Sequence, residues 1–200
     1  TPLYSSAASD VYKRQIHVTS RCIERVKQAL DNTEGAVMAS ARVTDPQGKD
    51  LFSYWTLLPL WKDLLDTGLI TRRLFKDMLN TPPYRLPNAG DEGSRLVDAV
   101  PGSFFMLKPG LLTPQDIEGL FDSRIFLYYE EKVLGRKFQE MGLKTVLVTD
   151  ESYVHAHSAT IDKSLKRMVD KQRLLHQSKL YYYREYLLSL IHISEPTRLD

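Results

Sequence analysis

The sequence of 200 residues holds one cysteine, Cys22. A single thiol excludes an internal disulfide framework and any cysteine-rich zinc site, and it fits a reducing compartment. Long apolar runs are missing too: none reaches the roughly 18–20 residues that cross a bilayer. No basic start, apolar middle and small-residue cleavage site marks a secretory signal. Charge of one sign is scarce, since 27 Lys and Arg face 25 Asp and Glu for a net charge of +2. That balance argues against a strongly basic nucleic-acid binder, and no nucleic acid is expected as a partner. Internal repeats and low-complexity tracts are absent. What is present is 42% hydrophobic and 26% charged residues, enough to bury the core of one domain or of part of a larger one. The expectation is a soluble or peripheral intracellular protein.

Alternating helical and strand patterns predict an α/β fold. Thr19 and Ser20 are helix-start residues, followed at helical spacing by Ile23, Val26 and Leu30. Ala36 to Val43 suits a buried strand, and Asp45-Pro46-Gln47-Gly48 a turn. Trp55 to Phe75 is apolar and helical after Pro59, and Pro87 to Ser94 is a loop. Leu96 to Leu107 reads as two strand pieces broken at Pro101-Gly102. Thr113-Pro114 opens a short helix that ends near Gly119. Tyr129 to Met141 is a helix closed by Gly142. Thr145 to Thr149 and Tyr153 to His157 read as two strands, and Ile161 to Leu188 as a long helix.

Four groups of residues can carry chemistry. Glu130 and Glu131 open a helix after the aromatic run Phe126 to Tyr129. One carboxylate could act as a general base; the plainer alternative is a helix dipole tuned by acidic residues in its first turn. Neighbours on a helix differ by about 100° in direction, so one glutamate can face a cleft and the other the protein. His155 and His157 would share one face of a strand, placed to bind a divalent metal or a diphosphate, or simply to end the strand. Pro101, Gly102, Ser103 and Phe104 interrupt a strand pattern, where glycine marks either a close ligand approach or a kink. From 151 to 188 there are seven Lys/Arg and four Asp/Glu, with Tyr181, Tyr182, Tyr183 and Tyr186 near the end. Such a helix can dock an anionic membrane, or its tyrosines can pack on the body.

In this order the segments resemble the C-terminal half of family 2 glycosyltransferases, the bacterial rhamnosyltransferase-like group in particular. VPGSFFML, LFDSRIFLYYEEKVLGRKFQEMGLKTVLV, YVHAHSATIDKS and KLYYYREYL follow that family's order of a Gly-Ser/Ala-Phe segment, an "FDE-x-FFLY-x-ED" box, a strand, a "VHH-x-x-S" box and a basic tyrosine-ended helix. The resemblance covers about residues 16–188. It implies the nucleotide-diphospho-sugar transferase fold of the GT-A type. The implied reaction is inverting transfer of a sugar from a nucleotide-diphosphate donor to an acceptor hydroxyl, in cell-surface polysaccharide synthesis. By the same resemblance Glu131 is the general base with Glu130 beside it. His155, then His157, hold the donor diphosphate or its metal, and Pro101 to Phe104 line the acceptor side. The implied cofactor is Mg or Mn in the complete enzyme. The implied partners are a nucleotide-sugar, a saccharide acceptor that is lipid-linked in relatives, and the inner face of the cell membrane.

Two departures stand out. The family box has Asp where Glu131 stands, which leaves the choice between Glu130 and Glu131 open. The family's Asp-x-Asp metal motif and nucleotide-binding half are not in this sequence; relatives carry the motif just before a segment like Ile16 to Thr19. Residues 1–15 and 189–200 resemble translated sequencing-adapter sequence and are expected to be non-native flanks. The expected organisation is therefore an acceptor-side domain portion over 16–160 and a basic amphipathic helix over 161–188, inactive as it stands. The rival from another class is a non-catalytic module that binds a membrane or a partner.

Overall fold

A computed structural model describes residues 16–67, 69–75, 93–125, 127–156 and 168–188. Both expected flanks, His157, most of the 87–94 loop and the first turns of the expected C-terminal helix lie outside these residues. The elements are β1 (Ile16–His17), α1 (Ser20–Asn32), β2 (Ala36–Thr44), α2 (Leu60–Thr67), α3 (Leu69–Leu74), β3 (Ser94–Val97), β4 (Met106–Leu107), α4 (Pro114–Glu118), α5 (Glu130–Glu140), β5 (Lys144–His155) and α6 (Met168–Tyr182), which continues as a π-helical stretch Tyr183–Leu188. A 3₁₀ turn covers Pro109–Leu111.

The fold is α/β around a mixed open sheet. Its order is β1-β5-β2-β4, with β3 also paired to β5. β2 and β5 run parallel, while β1 and β3 meet β5, and β4 meets β2, antiparallel. The helix starts follow side-chain chemistry. Thr19 Oγ1 accepts from the Cys22 N–H at 3.1 Å and opens α1. Thr113 and Asp116 form a reciprocal capping box at α4. Gly142 takes the left-handed position (φ 71°) after α5, the conformation a glycine adopts without cost.

α1 lays Cys22, Val26, Ala29 and Leu30 on one sheet face, against Ala39, Ala41, Val43, Val146 and Val148. Burial pushes the Cys22 thiol up to about 11, with a smaller push from Glu151, so it packs as a small apolar group rather than a reactive one. On the opposite face α5 brings Leu134 and Phe138 against Val37, Met38, Val100 and Leu147. Gly135 makes this approach possible: a Cβ there would lie 2.3 Å from the Asp98 carbonyl oxygen.

The two strands expected at 145–149 and 153–157 are one strand, β5. Its pairing with β2 jumps from Ala41↔Val148 to Arg42↔Ser152, so Thr149 to Glu151 bulge from the ladder. The acidic residues that interrupt the apolar pattern are matched by α1: Arg25 pairs with Asp150 and Arg21 with Glu151, each at 2.6 Å. No helix of the described residues is long and apolar enough to cross a membrane.

Candidate functional site

The site is built where the chain enters α5. Tyr128 (φ 67°) and Tyr129 (φ 69°) both adopt left-handed backbone. That conformation costs a non-glycine residue roughly 1–3 kcal/mol and survives only where surrounding structure holds it. The helix begins immediately after, so the turn decides where Glu130 and Glu131 point. The expected start at Tyr129 shifts by one residue, because Tyr129 is the cap and not the first helical position.

The two carboxylates do diverge. Glu130, the more exposed, lines a shallow depression of about 180 Å³ with Leu120, Phe121, Asp122, Ile125 and Val133; cavities that take drug-sized ligands are about 300–1,000 Å³. Glu131 is half-buried and faces the 101–104 segment, where its Oε1 accepts the Gly102 N–H at 3.3 Å. Desolvation, and next the negative Glu130, push the Glu131 carboxyl up to about 7, against smaller opposing hydrogen bonds from its own and the Gly102 backbone. The Glu130 carboxyl is also raised, by desolvation first. A carboxylate near 7 is divided between proton acceptor and acid at neutral pH, the range in which general bases work.

The 101–104 segment is pinned beside it. Ser103 Oγ and Tyr153 Oη are 2.6 Å apart. Ser40 Oγ donates to the Phe104 carbonyl at 2.7 Å, and the Phe104 ring meets Tyr153 edge-on at 5.2 Å. Gly102 itself sits in ordinary space, since a Cβ would come no closer than 3.6 Å to Glu131. The glycine therefore serves through its N–H and not through a missing side chain. Tyr153 and Ser40 did not stand out in the sequence reading. A polar Ser40 inside the apolar run 36–43, and a tyrosine two residues before His155, are the signals that could have marked them.

His155 ends β5, half-buried and opposite Ile16. Strand alternation puts its side chain on the same face as Tyr153. Its expected companion His157 lies outside the described residues. Among the described residues no three His, Cys, Asp or Glu side chains come together as a cation site.

The C-terminal tyrosines turn inward. Tyr182 and Tyr183 are buried, and the Tyr181 and Tyr186 hydroxyls both donate to Asp122 Oδ2 at 2.7 Å. Burial works against the Asp122 charge, but hydrogen bonds from Arg124, Tyr181 and Tyr186 outweigh it and hold the carboxyl well below its ordinary value. These tyrosines pack on the body of the protein.

Comparison with family models, with curated proteins and with solved structures gave no match.

Proposed function

We propose that this chain is the acceptor-side portion of an inverting glycosyltransferase resembling family 2, a GT-A type fold. It would move a sugar from a nucleotide-diphosphate donor to a hydroxyl of a saccharide acceptor, lipid-linked at the inner face of the cell membrane. The observation that supports this reading is Glu131: a half-buried carboxylate raised to about 7, launched by a strained turn and aimed at a pinned loop. An acceptor hydroxyl is a weak nucleophile. Glu131 takes its proton as the hydroxyl oxygen bonds to the anomeric carbon. The anomeric carbon–oxygen bond breaks, and its electron pair leaves with the nucleotide diphosphate. Glu130 acts on Glu131 as a like charge that favours its protonated form. Ser103 and Phe104 line the acceptor side, with His155 assigned by resemblance to the donor diphosphate.

The test has two stages. Sequencing the source DNA upstream of Ile16 is expected to reveal strand-helix alternation ending in Asp-x-Asp. In the protein carrying that half, Glu131→Gln should lower turnover about 10²–10⁴-fold, the usual contribution of a general base. Glu130→Gln should retain most of it. Full turnover in Glu131→Gln refutes the role.

A second reading, a non-catalytic module that binds a membrane or a partner, is favoured by one observation. α2 and α3 leave Trp61 52%, Leu64 51%, Ile70 76% and Leu74 73% exposed. Vesicle sedimentation of the chain, with and without Trp61→Ser and Ile70→Ser, tests it.

A further inference from the structure

α6 packs on the turn that opens α5. Ser178, buried, donates its hydroxyl to the Leu127 carbonyl at 2.6 Å. One helical turn later Tyr182, 2% exposed, sets its ring 5.3 Å from that of Tyr129. Between them Lys179 reaches Asp63 of α2 at 3.7 Å. Asp63 is 4% exposed and also takes Lys132 of α5 at 3.3 Å and the Tyr183 hydroxyl at 2.5 Å. The Lys132 ammonium in turn stands 4.7 Å over the Tyr129 ring. α6 and α2 therefore converge on residues 127–132. Two consecutive tyrosines have no local preference for left-handed backbone. The force that keeps them there is tertiary, and these are the contacts that supply it.

We propose that α6 is a brace for the site: Ser178, Tyr182 and the Asp63 cluster are positioning groups that hold the Tyr128–Tyr129 turn, and through it Glu131, against the 101–104 loop. The basic, tyrosine-rich helix thus works inward, on the geometry of a carboxylate. The value of the brace for catalysis rests on the reading of Glu131 as a base, but its existence does not.

The experiment is a ¹³C NMR titration of Glu131 in the 200-residue chain, with amide exchange at Val133, whose N–H donates to the Tyr129 carbonyl at 2.9 Å. The variants are Ser178→Ala, which removes one hydroxyl, and Tyr182→Leu, which removes the ring. Unchanged β2 amide shifts establish that each is folded. In the variants the Glu131 midpoint should fall by about one pH unit as the turn opens to water. Val133 exchange should quicken about five- to tenfold, the weight of one buried hydrogen bond. A folded Ser178→Ala protein with the midpoint unmoved overturns the proposal, and the same result in folded Tyr182→Leu does so independently. No sugar transfer is measured, so failure here leaves the transferase reading intact, and failure of that reading leaves the brace intact.

Discussion

The α1 face of the sheet and the junction of α2, α5 and α6 are both buried, but by different means. Beneath α1, small apolar side chains close the gap between helix and strands, and polar groups stay at the edges as the Arg21 and Arg25 ion pairs. At the junction an apolar cluster of Val133, Tyr182 and Leu187 is joined by polar groups: Asp63 with Lys132, Lys179 and Tyr183 inside, and Asp122 with Tyr181 and Tyr186 beside it. Apolar packing fills space with little demand on angle. Buried charges and hydroxyls demand both distance and direction. The left-handed turn and the raised carboxylate stand at the directional region, where geometry is dictated most tightly.

That contrast can be broken from its polar side first. Asp63→Ala leaves two largely buried lysines without their carboxylate and should destabilise the chain by about 3–5 kcal/mol in urea unfolding. Replacing Asp63, Lys132 and Lys179 together by Leu, Met and Met should recover most of that stability while losing the fixed Glu131 environment. Next comes Gly135→Ala, whose Cβ would strike the Asp98 carbonyl. Overpacking of this kind costs about 1–3 kcal/mol, and should separate α5 from residues 98–99.

A third prediction concerns pH, where the two carboxylates differ in sign. Glu131 binds its proton more tightly folded than unfolded, so its contribution to stability is present at acid pH. It is lost as pH rises from the ordinary 4.5 towards about 7. Asp122 is the reverse: its contribution is present above the unfolded carboxylate range and is lost as pH falls through it. In melts across pH, Glu131→Gln should raise the midpoint by a few degrees at pH 8 and flatten the limb between 4.5 and 7. Asp122→Asn should flatten the acid limb instead. The smallest effect belongs to the surface: Lys27→Ala breaks an exposed pair with Asp31 and should cost well under about 1 kcal/mol.

Local chemistry made part of this legible in the sequence. Thr19, Thr113-Pro114 and Gly142 mark helix ends because capping is a property of a few neighbouring residues. The Glu130–Glu131 pair and the 101–104 segment were visible for similar reasons, and their meeting at Gly102 follows from α5 lying beside that loop. β5 reads as two strands because Asp150, Glu151 and Ser152 break its apolar pattern; the arginines that answer the two acids lie over a hundred residues earlier. Asp63 does not stand out in its sequence segment; the packing of α5 and α6 makes it interior. The Tyr128–Tyr129 turn was illegible because nothing in two tyrosines favours it.

The most direct test of the account is the titration of Glu131 itself in the unaltered chain, followed by NMR. A midpoint near 7 that falls in Glu130→Gln is the predicted result, since desolvation and then the neighbouring charge set it. A midpoint at the ordinary value of 4.5, unaffected by Glu130, would mean that the turn and the loop do not build a base, and would contradict the account.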